Sequence, residues 1–309
     1  MLYPIIKNGR YGYIRRDGSV AIQPQYQSAM TFSDGLAGIM QDGKWGFINL
    51  AGEIVIRPRF DTCRSFAHSL AFVEEGDSKQ YIDKSGSVVI RTEFYRCSSF
   101  EGEIAPVMPD IRSRGAFIDR SGKIVLSGRN YLISHLSHGI INCPENGKWG
   151  FVDVRGDFKI APQYVSAHPF REGLAAVARR CEDAFYFVDT SGRVVIEGKF
   201  NGADIGFSGN LCAVWKEHYG FIDRTGRVAI PYRFYFADHF SEGLAVVKEP
   251  ESDFYGYVDQ EGTIAIEQTF TCADAFKGDL AQVIVGKAFD SYHYGYIDRN
   301  GEYVWEPTR

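Results

Sequence analysis

The 309 residues carry a formal net charge of -5 with 24% charged side chains, which excludes a disordered chain and leaves ample length for a large core. The 23 Phe, 18 Tyr, 4 Trp and 33 Gly form a mixture suited to many short strands and tight turns and argue against long helices. Charge is uneven, with 19 Lys/Arg against 16 Asp/Glu over residues 1–155 and 15 against 23 over residues 156–309. Neither half is basic enough for a general nucleic-acid binder, and the asymmetry fits a charged protein partner.

The opening segment, Met1 to Arg10, lacks the apolar stretch and small-residue cleavage site of a secretory signal. No apolar run reaches the roughly 20 residues that span a bilayer, so no membrane partner and a cytoplasmic location are expected. Leu2 to Lys7 reads as a strand. From Tyr11 onward the chain repeats itself, with related segments starting at Tyr11, Trp45, Lys79, Gly115, Trp149, Phe185, Tyr219, Tyr255 and Tyr294, spaced 34 to 39 residues apart. Two residues after every start stands an aromatic, as in Phe47 and Tyr81, followed by a β-branched residue, as in Ile48 and Ile82. Seven residues after every start stands glycine, preceded three residues earlier by Asp or Asn except at Arg15.

Asp-x-x-Gly between two apolar runs predicts a hairpin in which Asp opens a type I turn and Gly takes the positive-φ position. The second apolar run follows at once, as Ile54-Val55-Ile56 and Val88-Val89-Ile90. A connector of the form Pro-x-aromatic-x-x-small-x-x-Phe, as from Pro58 to Phe66, then leads into Gly-Leu-Ala, as at Gly173 to Ala175. This last run reads as a strand that turns into the next unit's start. Each module is therefore predicted to be a three-stranded antiparallel meander, with Leu2 to Lys7 completing the first and Tyr303 to Trp305 the last. The strands are apolar on both faces and must be covered on both sides, most simply by neighbouring modules. The expectation is one all-β array over residues 1–309, stacked as an open superhelix because both ends complete their own module. A closed β-propeller-like ring is the alternative.

Lys44-Trp45-Gly46-Phe47-Ile48 and Lys148-Trp149-Gly150-Phe151-Val152, with the Asp-x-x-Gly turn and the Phe-x-x-Gly-Leu-Ala run, resemble the bacterial WG-repeat (KWG) family over nearly the whole chain. The resemblance implies a generic binding scaffold without a shared catalytic motif. The chain departs from the family pattern at Lys79-Gln80 and Gly115-Ala116, so the third and fourth units are expected to be distorted or specialised.

The recurrent aspartates are accounted for by turn chemistry, and repeating positions do not offer the differing environments that paired catalytic carboxylates need. Cys63 and Cys97 fill a slot held elsewhere by alanine, which predicts packed, reduced thiols; the six cysteines include no C-x-x-C pair. His135 and His138 could supply two metal ligands but have no Cys or acidic third ligand beside them, so no metal is expected. No G-x-S-x-G, P-loop, G-x-G-x-x-G or H-E-x-x-H occurs, and no enzymatic activity or cofactor is expected. Specificity in a repeat scaffold belongs to exposed groups that break the pattern. These are Arg112 and Arg114, the His135/His138 pair, Arg179 and Arg180, and Trp215 with Lys216. The expected function is a non-enzymatic protein-binding scaffold, including an inhibitor or immunity-type role. The alternative is glycan or small-ligand binding through exposed aromatics.

Overall fold

The structure, a computed structural model, describes residues 1–112, 115–127, 136–137, 139–180, 184–203, 206–286 and 292–308. The chain divides into two compact units, Met1–Ser134 and His135–Thr308. The first holds sheets 1 to 4 and the second sheets 5 to 9, all small and antiparallel. Sheet 1 consists of β1 (Tyr3–Lys7), β2 (Arg10–Ile14) and β3 (Val20–Tyr26). Sheet 2 adds a short leading strand and runs β4 (Ser28–Ala29), β5 (Leu36–Gln41), β6 (Lys44–Asn49), β7 (Ile54–Phe60) in that order. Sheets 3 to 9 repeat this four-stranded pattern over residues 62–92, 96–126, 136–164, 166–200, 202–234, 236–270 and 272–308.

The three-stranded meander of the sequence reading is thus corrected to four strands in eight of the nine sheets formed by the described residues. The extra strand comes from the connector, where Ser28 and Ala29 pair with Met40 and Ile39. Two residues of extended backbone between polar neighbours carry no readable alternation, so the periodicity that marks the other strands is absent there.

The Asp-x-x-Gly hairpins form as expected. In sheet 3 the Ser85 and Ser87 amides donate to Asp83 Oδ1 at 2.9 and 3.0 Å, and Gly86 takes φ +85°. Asn49 accepts from the Ala51 and Glu53 amides in the same way, both at 3.0 Å. The turn glycine also meets the neighbouring sheet, since a Cβ on Gly52 would stand 3.2 Å from Ile22 Cγ1. Each turn therefore fixes both a hairpin and its distance from the sheet before it.

Hydrogen bonds from Ser85, Ser121, Ser191 and Thr225 hold the carboxyls of Asp83, Asp119, Asp189 and Asp223 below their ordinary range. Burial pushes Asp153 up, but the Asp157 and Arg155 amides and Lys159 outweigh it and hold this carboxyl at about 2. A carboxyl whose folded pKa is depressed contributes stability above its unfolded pKa of about 3.9 and loses that contribution as pH falls through the folded value. Stability is expected to drop between about pH 4 and pH 2. Asp83→Asn, which keeps the turn as Asn49 does, should flatten that dependence in denaturant midpoints measured across the range. An unchanged pH slope would remove the turn carboxylates as its source.

Burial is graded across the sheets, most clearly in sheets 2, 7 and 8. The second strand is enclosed on both faces, as in Leu174–Ala178 where all five residues are buried. The fourth strand begins in solvent, with Ile54 48% and Val55 42% exposed. Small residues recur on the enclosed strand, at Ala71, Ala105, Ala175 and Ala245, whereas Phe and Ile fill the space beside the third and fourth strands. Small side chains on the enclosed strand let neighbouring sheets approach closely there, and the fourth strand is left toward solvent. The modules are accordingly β-propeller blades, the alternative arrangement, and the open superhelix is corrected. Both termini do complete their own sheet, as expected.

The periodic aromatics form the core. Tyr13, Phe47, Tyr81, Phe117, Phe151, Phe187, Phe221 and Tyr257 are wholly inaccessible, and several meet the Phe that ends the next connector edge to face, as Phe47 meets Phe66 at 4.8 Å. Cys97 is buried and Cys63 half-buried, both free thiols, and burial pushes them up to about 11 and about 12. They are unreactive packing groups, as the alanine slot implied.

Candidate functional site: an aromatic rim in the second unit

Every sheet has two ends. One carries the Asp-x-x-Gly turn. The other carries the turn between second and third strands, together with the link into the next sheet: β7 ends at Phe60 opposite Trp45, and the next strand begins at Thr62. Irregularity collects at this second end. Asp42-Gly43, Gly76-Asp77 and Asn146-Gly147 close their hairpins in two residues, whereas sheets 4, 6, 8 and 9 span residues 109–115, 179–184, 249–254 and 286–292. The unit spacings of 36 and 39 residues arise here.

Arg112, Arg179, Arg180, Trp215 and Lys216 all fall at this end of their sheets and are exposed. Arg114, His135 and His138 lie outside the described residues. Arg112 follows β13 (Ile104–Met108) of sheet 4, and its amide donates to Asp110 Oδ1 at 2.8 Å. In the second unit, Arg179 lies 5.3 Å from the centroid of the Tyr186 ring in sheet 6. Trp215 and Lys216 belong to sheet 7, so these residues do not converge on one point.

Around Trp215 the rim is built further. Trp215 ends β25 (Leu211–Trp215) and stands opposite Tyr219, which starts β26 (Tyr219–Asp223). Direct opposition in an antiparallel pair puts both side chains on one face. Asn201 fixes the turn, its amide donating to the Trp215 carbonyl at 2.9 Å and Nδ2 to the Lys216 carbonyl at 3.1 Å. Lys216 Nζ lies 5.1 Å over the Tyr232 ring.

Sheet 8 continues the surface. Phe236 opens β28 (Phe236–Ala237) and stands opposite Lys248, the last residue of β29 (Leu244–Lys248). Phe236 meets Tyr255 edge to face at 5.4 Å and Tyr219 of sheet 7 at 6.4 Å, joining the two sheets. Lys248 Nζ lies 5.7 Å from the Tyr235 ring and 5.6 Å from that of Tyr255. Tyr235 is 65% exposed, Trp215 41% and Phe236 36%. Burial raises the hydroxyl pKa of Tyr232 and Tyr255, so both remain neutral at physiological pH.

Tyr235 and Phe236 were missed in the sequence. The signal was present, because the matching positions are Gln27-Ser28, Asp61-Thr62, Val165-Ser166, Asn201-Gly202 and Thr271-Cys272, polar or small in nearly every case. The first unit has one comparable break at Tyr95-Arg96. There Tyr95 is 41% exposed, with Lys79 Nζ 5.8 Å and the Arg96 guanidinium carbon 5.7 Å from its ring centroid. Among the described residues no group of three or more His, Cys, Asp or Glu side chains could hold a metal ion.

Comparison with solved structures shows the same fold at low identity. "Crystal structure of the eukaryotic initiation factor" aligns with TM-score 0.67 at 10% identity, covering 100% of this chain and 97% of that one. "Dihydro-heme d1 dehydrogenase NirN in complex with DHE" aligns with TM-score 0.52 at 11% identity, covering 100% of this chain and 74% of that one. No curated protein matches the sequence. The family described as "WG containing repeat" matches residues 11–45, 45–78, 81–108, 149–178, 187–216, 219–249 and 255–287, leaving residues 109–148 and the segment from Tyr294 unmatched. Together with the buried periodic aromatics, the glycine turns and nine repeating sheets, this places the chain in the family of WG-repeat proteins.

Proposed function

We propose that this chain is a non-enzymatic scaffold that binds another protein through the rim of sheets 7 and 8. The observation that carries the reading is the run of exposed rings, Trp215, Tyr235 and Phe236, set on hydrogen-bonded turns, while the periodic aromatics are committed to the core. Trp and Tyr are the side chains most often found as interface anchors, and a rigid support reduces the entropy lost on binding. An inhibitor or immunity-type role in the cytoplasm is the finer form of the same reading: the rim would cover a partner's working surface. Nucleic acid fits poorly, since residues 156–309 carry 15 basic against 23 acidic side chains.

Affinity purification of the tagged protein, with mass spectrometry of what accompanies it, tests the reading. The wild type should recover a protein partner, and Tyr235→Ala should weaken that complex by about 30-fold, the effect of losing an anchor worth about 2 kcal/mol. Because Tyr235 is 65% exposed, the variant should keep the wild-type unfolding midpoint. Absence of any protein partner, or full retention by the variant, overturns the proposal. The exposure of Trp215 and Tyr235 also favours a second reading, sugar stacking. A glycan-array signal abolished by Trp215→Ala would select it.

A further inference from the structure

The aromatic rim lies beside an acidic turn. In sheet 8 the residues joining second and third strands are Glu249-Pro250-Glu251-Ser252-Asp253-Phe254, directly after Lys248 and before Tyr255. The turn is ordered from within: the Glu249 amide donates to Gln268 Oε1 at 2.8 Å, the Ser252 amide to the Glu249 carbonyl at 3.1 Å, and the Phe254 amide to Ser252 Oγ at 3.0 Å. Glu251 and Asp253 are exposed. With Glu217 in the turn of sheet 7, this end of the two sheets carries four carboxylates and two cations, Lys216 and Lys248, a local net charge of -2. None of these four carboxylates forms an ion pair among the described residues. Both lysines sit over rings instead.

From this juxtaposition we infer that the rim receives a basic, arginine-bearing segment of the partner, an inference that rests on the protein-binding reading. The rings of Tyr235 and Tyr255 already hold a cation, the chain's own Lys248, so their faces are presented to positive charge. An arginine suits the place better than a lysine. Its flat, weakly hydrated guanidinium can stack on Tyr235 while its edge donates to a carboxylate of the turn. Lys248 has one point charge on a flexible stem and reaches the rings alone. It acts as a resident cation that an incoming arginine must displace or share. The wider surface agrees in sign, because residues 156–309 have a net charge of -8.

The test uses the full chain and a dye-labelled, end-capped peptide of glycine and serine carrying two arginines, with citrulline and aspartate versions as controls, read by fluorescence anisotropy. The arginine peptide should bind and the other two should not, and the affinity should fall with added salt. Glu251→Gln combined with Asp253→Asn should weaken binding at least tenfold at low salt and flatten the salt dependence. Lys248→Met should strengthen binding several-fold by removing the competing cation, whereas for an acidic ligand the same change would weaken it. Preference for the aspartate peptide, weakening by Lys248→Met, no arginine-peptide binding at about 1 mM, or displacement only by a neutral oligosaccharide each overturns the inference. If a captured protein partner holds on undiminished to the Glu251→Gln/Asp253→Asn variant, the basic-segment inference fails while the protein-binding reading stands; if the wild type captures no protein, that reading itself fails.

Discussion

Gly46→Val is expected to cost about 3 kcal/mol or more and to lower the unfolding midpoint sharply, with the loss measurable by denaturant titration of the full chain. The reason lies in the strand beside it. Trp45 pairs with Phe60 and Phe47 with Ile56, so three residues of β7, Arg57, Pro58 and Arg59, stand against the one residue Gly46. The bulge folds over the glycine, and a Cβ there would lie 2.5 Å from both Ile56 O and Pro58 N. Backbone cannot move aside as a side-chain tip can, so the ladder itself must shift. Gly38→Ala is the control: the nearest atoms to its Cβ would be Met30 Sδ at 3.0 Å, Cys63 Sγ at 3.2 Å and Met30 Cγ at 3.5 Å, all of them side-chain atoms. Equal losses for the two variants would remove the bulge as the cause.

This contact gives the Trp-Gly signature its physical meaning and revises the expectation for units that lack it. In sheet 3, Gln80 pairs with Arg91 and Tyr81 with Ile90 in regular register, so no bulge crosses that position and no glycine is required. The third unit, where distortion was expected, is more regular there than sheet 2. Sheet 6 reverses the arrangement: Phe185 pairs with Phe200 and Phe187 with Ile196 around Tyr186, and Gly198 in the bulged strand stands where sheet 2 has Pro58.

What was legible in the sequence is what recurs under a local constraint. The Asp-x-x-Gly hairpins, the buried aromatics and the completing strands at Tyr3–Lys7 and Tyr303–Thr308 each follow from chemistry within a few residues. Less legible were features that depend on two sheets at once. The leading strand has only two residues, and the turn glycines meet isoleucines of the preceding sheet, as Gly52 meets Ile22. The rim was half legible. Trp215 and Lys216 stood out as turn residues, but Tyr235 and Phe236 sit one and two places beyond a periodic aromatic, Phe234, and were hidden by it.

Tyr257→Ala should destabilise the protein by about 3–5 kcal/mol, as expected for emptying a fully enclosed aromatic site. Tyr257 belongs to sheet 8, yet its hydroxyl donates to the Asp274 carbonyl at 2.8 Å, and its ring meets Phe276 at 4.9 Å edge to face. Both partners lie in sheet 9, so one side chain ties consecutive blades by packing and by a hydrogen bond. Tyr13 and Tyr81 make the same bond seventeen residues ahead, to Met30 and Ser98 carbonyls at 2.7 and 2.8 Å. At the corresponding position Phe47, Phe151 and Phe221 pack without a hydroxyl, which shows that the ring alone suffices to fill the space. Tyr257→Phe should therefore cost only about 1 kcal/mol, the net worth of one neutral hydrogen bond. A double-mutant cycle of Tyr257→Ala with Phe276→Ala isolates the ring pair, with an expected coupling of about 0.5–1.5 kcal/mol. Coupling of that size would make blade-to-blade contact a direct contributor to stability, as the nearest-neighbour behaviour of repeat arrays requires. Zero coupling would assign the whole loss to sheet 8 and leave the turn glycines, wedged against the isoleucines of the preceding sheets, as the contacts that register one blade on the next.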